Sequence, residues 1–173
     1  ARGEMLLTNT LPPPPDALSL SALPAYPHAP YGVGRLFHGP RFHALRKIDG
    51  LGSAGVLAHL APAAPPAEWM RRPLRHGWIT EPLALDAAFQ AMILWTRQQH
   101  GVPSLPTFLK SYRQYRRAFP AAGCRLLLAS RGGARADFDL VDEAGQVVAR
   151  AEGYECVMDA SLERAFGKNH LAE

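Results

Sequence analysis

Asp86 and Gln90 lie four residues apart in the segment Glu81-Pro-Leu-Ala-Leu-Asp-Ala-Ala-Phe-Gln90. On a helix this spacing puts both side chains on one face, close enough to touch. Asp86 is surrounded in sequence by Leu83, Ala84, Leu85, Ala87 and Ala88. Apolar surroundings push a carboxyl toward its neutral form, whereas a helix N-terminus favours the ionised form. A carboxylic acid held near neutrality can give or take a proton, and a neighbouring amide can orient it. The same pair also suits a first-turn or capping Asp followed by a solvent-facing Gln. A second segment, Leu36-Phe-His-Gly-Pro-Arg-Phe42, sets His38 just before a Gly39-Pro40 turn. Such a turn lets backbone approach a ligand closely, and His38 could serve there as a base or a hydrogen-bond donor. The plainer reading is a turn carrying a surface histidine.

Other chemistries find less support. The seven histidines (28, 38, 43, 59, 76, 100 and 170) form no His-x-x-x-His pair and no Cys/His ligand spacing, so no metal site is expected. Cys124 and Cys156 are too few and too far apart for a disulfide framework, and buried reduced thiols are expected. There is no Gly-rich phosphate loop and no Gly-x-Ser-x-Gly elbow. Lys110-Ser-Tyr-Arg-Gln-Tyr-Arg-Arg117 interleaves cations with tyrosines. It suits a solvated strand face whose Arg stems cover apolar surface, a dock for an acidic carrier protein, or a strip for nucleic acid. The net charge of +4 is mostly an arginine excess and fits an ordinary surface, so nucleic acid is not an expected partner.

These residues need elements to hold them. A chain of 173 residues with 47% hydrophobic and 20% charged residues fits one globular domain. No apolar run reaches the roughly 18 residues of a membrane span, and the Ala-Arg-Gly-Glu start is not a signal peptide. A cytoplasmic protein with no membrane partner is therefore expected. The start without Met suggests an excised or processed piece, or missing leading residues. Residues 2–8 read as a strand, and Pro12 to Pro15 read as an extended linker. Asp16 to Leu23 suits a short helix ended by Pro24, Pro27 and Pro30. Two antiparallel strands are expected over Ala44–Gly50 and Ala54–Leu60, followed by a loop over Ala61–Ala67 and an exposed stretch over Trp69–Gly77. Residues 82–100 give the clearest helix. Pro82 fits its first turn, Leu85, Phe89, Met92, Ile93 and Thr96 form its apolar stripe, and Gly101 stops it. Strands are expected over Leu105–Arg116, Cys124–Ser130, Ala134–Val141 and Gln146–Met158, with hairpin turns between the last three. The tail after Asp159, with Leu162, Phe166, Lys168, Asn169 and His170, reads as a fraying helix. One long apolar helix has to be covered, and a curved antiparallel sheet can do so.

Taken together, His38-Gly39-Pro40-Arg41-Phe42, Asp86-Ala-Ala-Phe-Gln90, Leu105-Pro106, Asp142-Glu-Ala-Gly145-Gln-Val147-Val148-Ala149 and Glu152-Gly153-Tyr154 resemble the second half of polyketide synthase dehydratase domains. The resemblance covers roughly residues 1–160. It implies an α+β hot-dog fold, half of a double hot dog, with a curved antiparallel sheet around one long helix. Residues 1–15 would be the last strand and linker of a preceding hot dog, 16–160 the C-terminal hot dog, and 161–173 a tail. The family's His-x-x-x-Gly-x-x-x-x-Pro motif is absent. His28-Ala-Pro-Tyr-Gly32 imitates its start, but Phe37 stands where Pro belongs.

The implied reaction is syn loss of water from a 3-hydroxyacyl thioester carried on the phosphopantetheine of an acyl carrier protein. A base His on a missing N-terminal half would take the C2 proton. Asp86 would protonate the leaving hydroxyl, and Gln90 would position it. Helix N-terminal amides would hold the thioester carbonyl. His38, Gly39, Pro40, Phe42, Leu85, Phe89 and Pro106 would shape the acyl site. No metal or organic cofactor is implied. The implied partners are the carrier protein, the rest of a polyketide or polyunsaturated fatty acid megasynthase, and a second copy of the chain. A hot-dog acyl thioesterase or isomerase using Asp86 and Gln90, and a non-catalytic acyl-binding or structural hot dog, are the alternatives.

Overall fold

Apolar residues at every second position build the strands. In β4 (Cys124–Ser130) Cys124, Leu126 and Leu128 are buried at alternate positions, and in β5 (Arg135–Val141) so are Ala136, Phe138 and Leu140, while Ala129, Asp139 and Val141 are buried as well. The computed structural model describes residues 3–32 and 34–168. The remaining strands are β1 (Leu45–Gly52), β2 (Gly55–Leu60), β3 (Ser104–Gln114) and β6 (Val147–Met158). They form one antiparallel sheet in the order β1-β2-β4-β5-β6-β3. The helices are α1 (Pro66–Trp69), α2 (Pro82–His100) and α3 (Leu162–Lys168), and a 3-10 turn spans Pro40–Phe42. Helix α2 packs against β1, β2, β3 and β4, which gives the hot-dog arrangement expected from the sequence.

The expected span of α2 matches the observed one, but its burial differs from a stripe. Leu83, Ala84, Ala87, Ala88 and every residue from Gln90 to Thr96 are buried, whereas Leu85 and Phe89 are only partly so. A helix apolar on nearly all sides belongs inside its sheet. Alanines at 84, 87, 88 and 91, each at most 1% exposed, let the backbone lie close to its surroundings. Pro82 occupies the first turn, and Gly101 closes the helix in the left-handed region (φ +73°), its N–H bonded to the Arg97 carbonyl. At the β1–β2 hairpin, Gly55 has φ +148°, and a Cβ there would lie 1.8 Å from the Leu128 carbonyl oxygen of the neighbouring strand. Only glycine fits that crossing.

The segment before β1 departs from expectation. Residues 3–8 form no strand, and Asp16–Leu23 form no helix. Arg2, part of the expected first strand, lies outside the described residues. Residues 9–24 run instead as an extended strap. The Leu18 N–H donates to Asp139 Oδ2 (2.7 Å), the Asp16 carbonyl accepts from Arg150 (2.6 Å), and the Leu51 N–H donates to the Pro24 carbonyl (2.9 Å). Backbone groups that a helix would pair internally are taken up by the sheet, and the flanking prolines contribute no donors. Asp139 is on β5, so the strap passes to β1 across three strand spacings, about 14 Å at ~4.8 Å each. Six extended residues cover that span at ~3.3 Å per residue. Leu23 and Pro24 lie so near Gly50 and Gly52 that a Cβ on either glycine would approach them within 2.8 Å.

Asp139 anchors the strap. It is fully buried and grips the Arg150 guanidinium in a two-pronged pair, Nε to Oδ1 and NH2 to Oδ2, both 2.7 Å. These bonds to Asp139 hold the Arg150 pKa above its ordinary value. At the other end of the chain, α3 is fixed by Phe166 stacked on Phe37 (4.2 Å) and by Glu163 paired with Arg97 (2.8 Å). Asn169 and His170 lie outside the described residues. Asp139→Ala strands the Arg150 cation and frees the Leu18 N–H. Urea denaturation of that variant is expected to show a loss of about 1–3 kcal/mol, since Asp139 is buried but the Arg150 guanidinium left behind keeps access to water.

Candidate active site

Asp86 and Gln90 project from the first half of α2 and meet as their spacing requires: Gln90 Nε2 donates to Asp86 Oδ2 at 2.6 Å. Gln90 is completely buried, and Asp86 is half-buried. The second amide hydrogen of Gln90 goes to the Phe42 carbonyl, 2.9 Å away in the His38-to-Phe42 turn. The two sequence segments are therefore joined through one amide. Its oxygen accepts from the Tyr31 hydroxyl at 2.7 Å, and the Leu45 N–H donates to that hydroxyl at 2.9 Å. Burial, reinforced by the charge on Asp86, pushes the Tyr31 phenol up to about 12, so the hydroxyl keeps its proton. Among the described residues, no hydrogen bond reaches Asp86 Oδ1.

The turn itself is braced by aromatic rings. Tyr31 stacks on His43 (3.7 Å between centroids), and His43 Nε2–H donates to the His38 carbonyl at 2.8 Å. His38 is half-buried and stacks on Phe37 at 4.2 Å. Gly39 leads into the 3-10 turn, and Pro40 begins it. Phe42 is 43% exposed and meets Trp69 edge-on, and Trp69 in turn meets Trp78. Beside the turn lies an open cavity of about 270 Å³, lined by Pro40, Arg41, His43, Trp69 and Leu83, among others.

Three expected acyl-site residues stand apart from this network. Phe89 stacks on Tyr154 (5.1 Å) and meets Phe138 edge-on, which ties it to the sheet core. Leu85 packs partly buried against that core. Pro106 is exposed on edge strand β3, opposite Cys156. Cys124 and Cys156 are both buried free thiols, and burial pushes Cys124 up to about 12. No helix of the described residues is long and apolar enough to cross a membrane.

Two residues escaped the sequence reading. Tyr31 sits in an irregular loop where nothing in its neighbours signals a role. Glu81 immediately precedes α2 and is only 7% exposed. Its Oε1 accepts the Ala63 N–H at 2.7 Å, and burial raises its carboxyl above the ordinary 4.5. An acid directly before a helix-opening proline was the available signal. Glu81 also occupies the start of α2. Its carbonyl takes the Leu85 N–H at 3.4 Å. Pro82 has no N–H, so the Leu83 and Ala84 amides are the early ones without a hydrogen bond among the described residues.

Burial holds the His38 pKa below 6.5, although the charge on Asp86 opposes this, and its Nδ1 is buried without a partner. The unfolded chain then binds a proton more readily than the folded one. The His38 contribution to stability is fully present above pH 6.5 and is lost as the pH falls toward and through its lowered native value. Thermal melts over pH 4.5–7.5 are expected to show a steeper acid limb for the wild type than for His38→Gln.

Comparison with known proteins agrees with the fold. A family model described as polyketide synthase dehydratase N-terminal domain matches residues 10–164. A polyunsaturated fatty acid synthase polypeptide of Thraustochytrium sp. (strain ATCC 26185 / S-3) is 31% identical over 120 residues, covering 66% of this chain and 4% of its own length. The dehydratase domain from the CurF module of curacin polyketide synthase superposes with a TM-score of 0.55 at 22% identity, over 70% of this chain and 42% of that one. An inactive CurK dehydratase variant, with asparagine in place of an aspartate, gives 0.56 at 18% identity, over 72% and 43%. The chain thus spans a small fraction of the fatty acid synthase polypeptide and less than half of each solved dehydratase. With residues 10–164 matched by its model, the chain belongs to the polyketide synthase dehydratase family.

Proposed function

We propose that this chain is the C-terminal hot-dog half of a dehydratase that removes water from a 3-hydroxyacyl thioester on an acyl carrier protein, with Asp86 as the acid. The observation that carries this reading is the Gln90 amide, which joins Asp86 on α2 to the Phe42 carbonyl in the His38–Phe42 turn. The matched family model is described as an N-terminal domain. The second half is favoured here because the chain carries the helical Asp-x-x-x-Gln and the His-Gly-Pro-Arg-Phe stretch but not His-x-x-x-Gly-x-x-x-x-Pro. On this reading residues 16–160 are the hot dog and the segment before them is its linker. The inactive asparagine variant of the CurK domain fits an essential aspartate in that enzyme.

Gln90 presents an N–H to Asp86 Oδ2, and an N–H cannot accept a proton. The acidic proton therefore belongs on Oδ1, the oxygen left open. A histidine of the partner half removes the C2 proton, and the electron pair forms the C2–C3 double bond. The C3–O bond breaks, and Asp86 Oδ1–H passes its proton to the departing hydroxyl, which leaves as water. The Leu83 and Ala84 amides at the start of α2 are the donors that would polarise the thioester carbonyl. The cavity beside Pro40 and Trp69 offers room for the thioester arm. No cofactor enters this scheme beyond the phosphopantetheine that carries the substrate.

The test is dehydration of a 3-hydroxyacyl carrier-protein thioester by the chain alone and by the chain joined to an upstream hot dog bearing the histidine motif. Activity is expected only in the joined form, with Asp86→Asn reducing it by roughly 10²–10⁴-fold. Activity of the chain alone that survives Asp86→Asn would overturn the assignment of the acid. Hydrolysis of the thioester without dehydration would favour a thioesterase.

A further inference from the structure

The hydroxyl of Tyr31 makes two hydrogen bonds, and both lie in the acid's support. It accepts the Leu45 N–H at the start of β1 (2.9 Å) and donates to Gln90 Oε1 (2.7 Å). The Phe42 carbonyl is also near, at 3.3 Å, but one O–H donates once, and the shorter contact is to Gln90. An amide has two faces that look alike in shape and opposite in charge. With Tyr31 donating to its oxygen, the nitrogen of Gln90 must turn toward Asp86 Oδ2 and the Phe42 carbonyl. Both of those are acceptors, so the reversed amide would bring oxygen against oxygen at two places. It would also make the phenol the acceptor at this contact and leave its O–H only the 3.3 Å approach to the Phe42 carbonyl.

We propose that Tyr31 is a positioning residue for the acid: its hydroxyl locks the amide of Gln90 in one orientation, and the amide in turn fixes which oxygen of Asp86 carries the proton. This rests on the reading of Asp86 as the acid. Tyr31 touches neither the substrate nor the reacting atoms and acts only through Gln90. Its ring, stacked on His43, and its anchor on the Leu45 N–H tie the lock to the first strand of the sheet. The proton-bearing oxygen is therefore referenced to the fold rather than to the helix alone. Removal of the hydroxyl leaves Gln90 Oε1, fully buried, without its donor, and the amide is then held through its nitrogen alone.

Two measurements test this on Tyr31→Phe, which keeps the ring on His43. The first is made on the chain by itself and needs no activity: the side-chain amide signals of Gln90 in ¹⁵N NMR spectra, with Asp86→Asn to assign the hydrogen that faces the carboxylate. The wild type is expected to show two well-separated amide hydrogens in slow exchange with water. Tyr31→Phe is expected to broaden or merge them and to speed their exchange at least tenfold, while the backbone spectrum away from residues 31, 45 and 90 stays in place. Unchanged Gln90 amide signals in folded Tyr31→Phe would overturn the proposal. The second is a double-mutant cycle on the active joined dehydratase. Tyr31→Phe is expected to lower kcat about tenfold with KM unchanged, and to cost nothing further once Gln90→Ala is present. Equal losses in both backgrounds would show that Tyr31 does not act through Gln90. If the joined protein fails to dehydrate, the function proposed above falls, while the amide measurement still decides whether Tyr31 locks Gln90.

Discussion

A buried amide has to be satisfied on both sides, and the arrangement around α2 follows from meeting that requirement for Gln90. The helix is wrapped so fully that a polar side chain at position 90 has no access to water. Leaving one such group without partners costs on the order of 1–3 kcal/mol. Three neighbours resolve it: a carboxylate one turn back on the same helix, a carbonyl from the turn before β1, and a phenol from an irregular loop. Each comes from a different part of the chain, so the amide works as a junction. The turn cannot shift without losing an acceptor, and the carboxylate cannot rotate without losing its donor. A polar group that looks like a burden on the core is what registers the loop, the turn and the helix against one another.

The sequence made the helix and the sheet legible because their signals are local and repeated. Pro82 and Gly101 bracket α2, and alternation in Leu126, Leu128, Phe138 and Leu140 marks strands facing one core. Asp86 and Gln90 were readable as a touching pair because helical geometry fixes what four residues mean. The strap was not legible. Asp16 looks like a helix cap, and only the presence of Asp139 and Arg150, more than a hundred positions later, turns the segment into an extended ribbon. Tyr31 was invisible for the same reason. Its meaning lies entirely in partners at 42, 45 and 90. Glu81 could have been noticed beside Pro82, but nothing local says that position 81 is buried. What sequence patterns reveal are periodicities, and what they hide are junctions between distant parts.

Two polar devices thus hold the protein from opposite sides. Inside, one amide joins three segments around the candidate acid. Outside, one buried aspartate clamps an arginine and pins the strap across β5 and β6. The two sit on opposite faces of the sheet, because the inner face of β5 is Phe138 and Leu140 while Asp139 points the other way. Neither device shares a hydrogen-bonding residue with the other.

The strap is tethered at both ends. Its start is held by Arg117, whose guanidinium reaches the Asn9 carbonyl just past the end of edge strand β3, and its end by the Leu51 N–H of the opposite edge strand β1, which donates to the Pro24 carbonyl. A ribbon pinned at both edges works as a brace across the sheet, so peeling β1 away also breaks its bond to the strap. Proline has few backbone conformations to lose, so the brace is set at a low entropic cost.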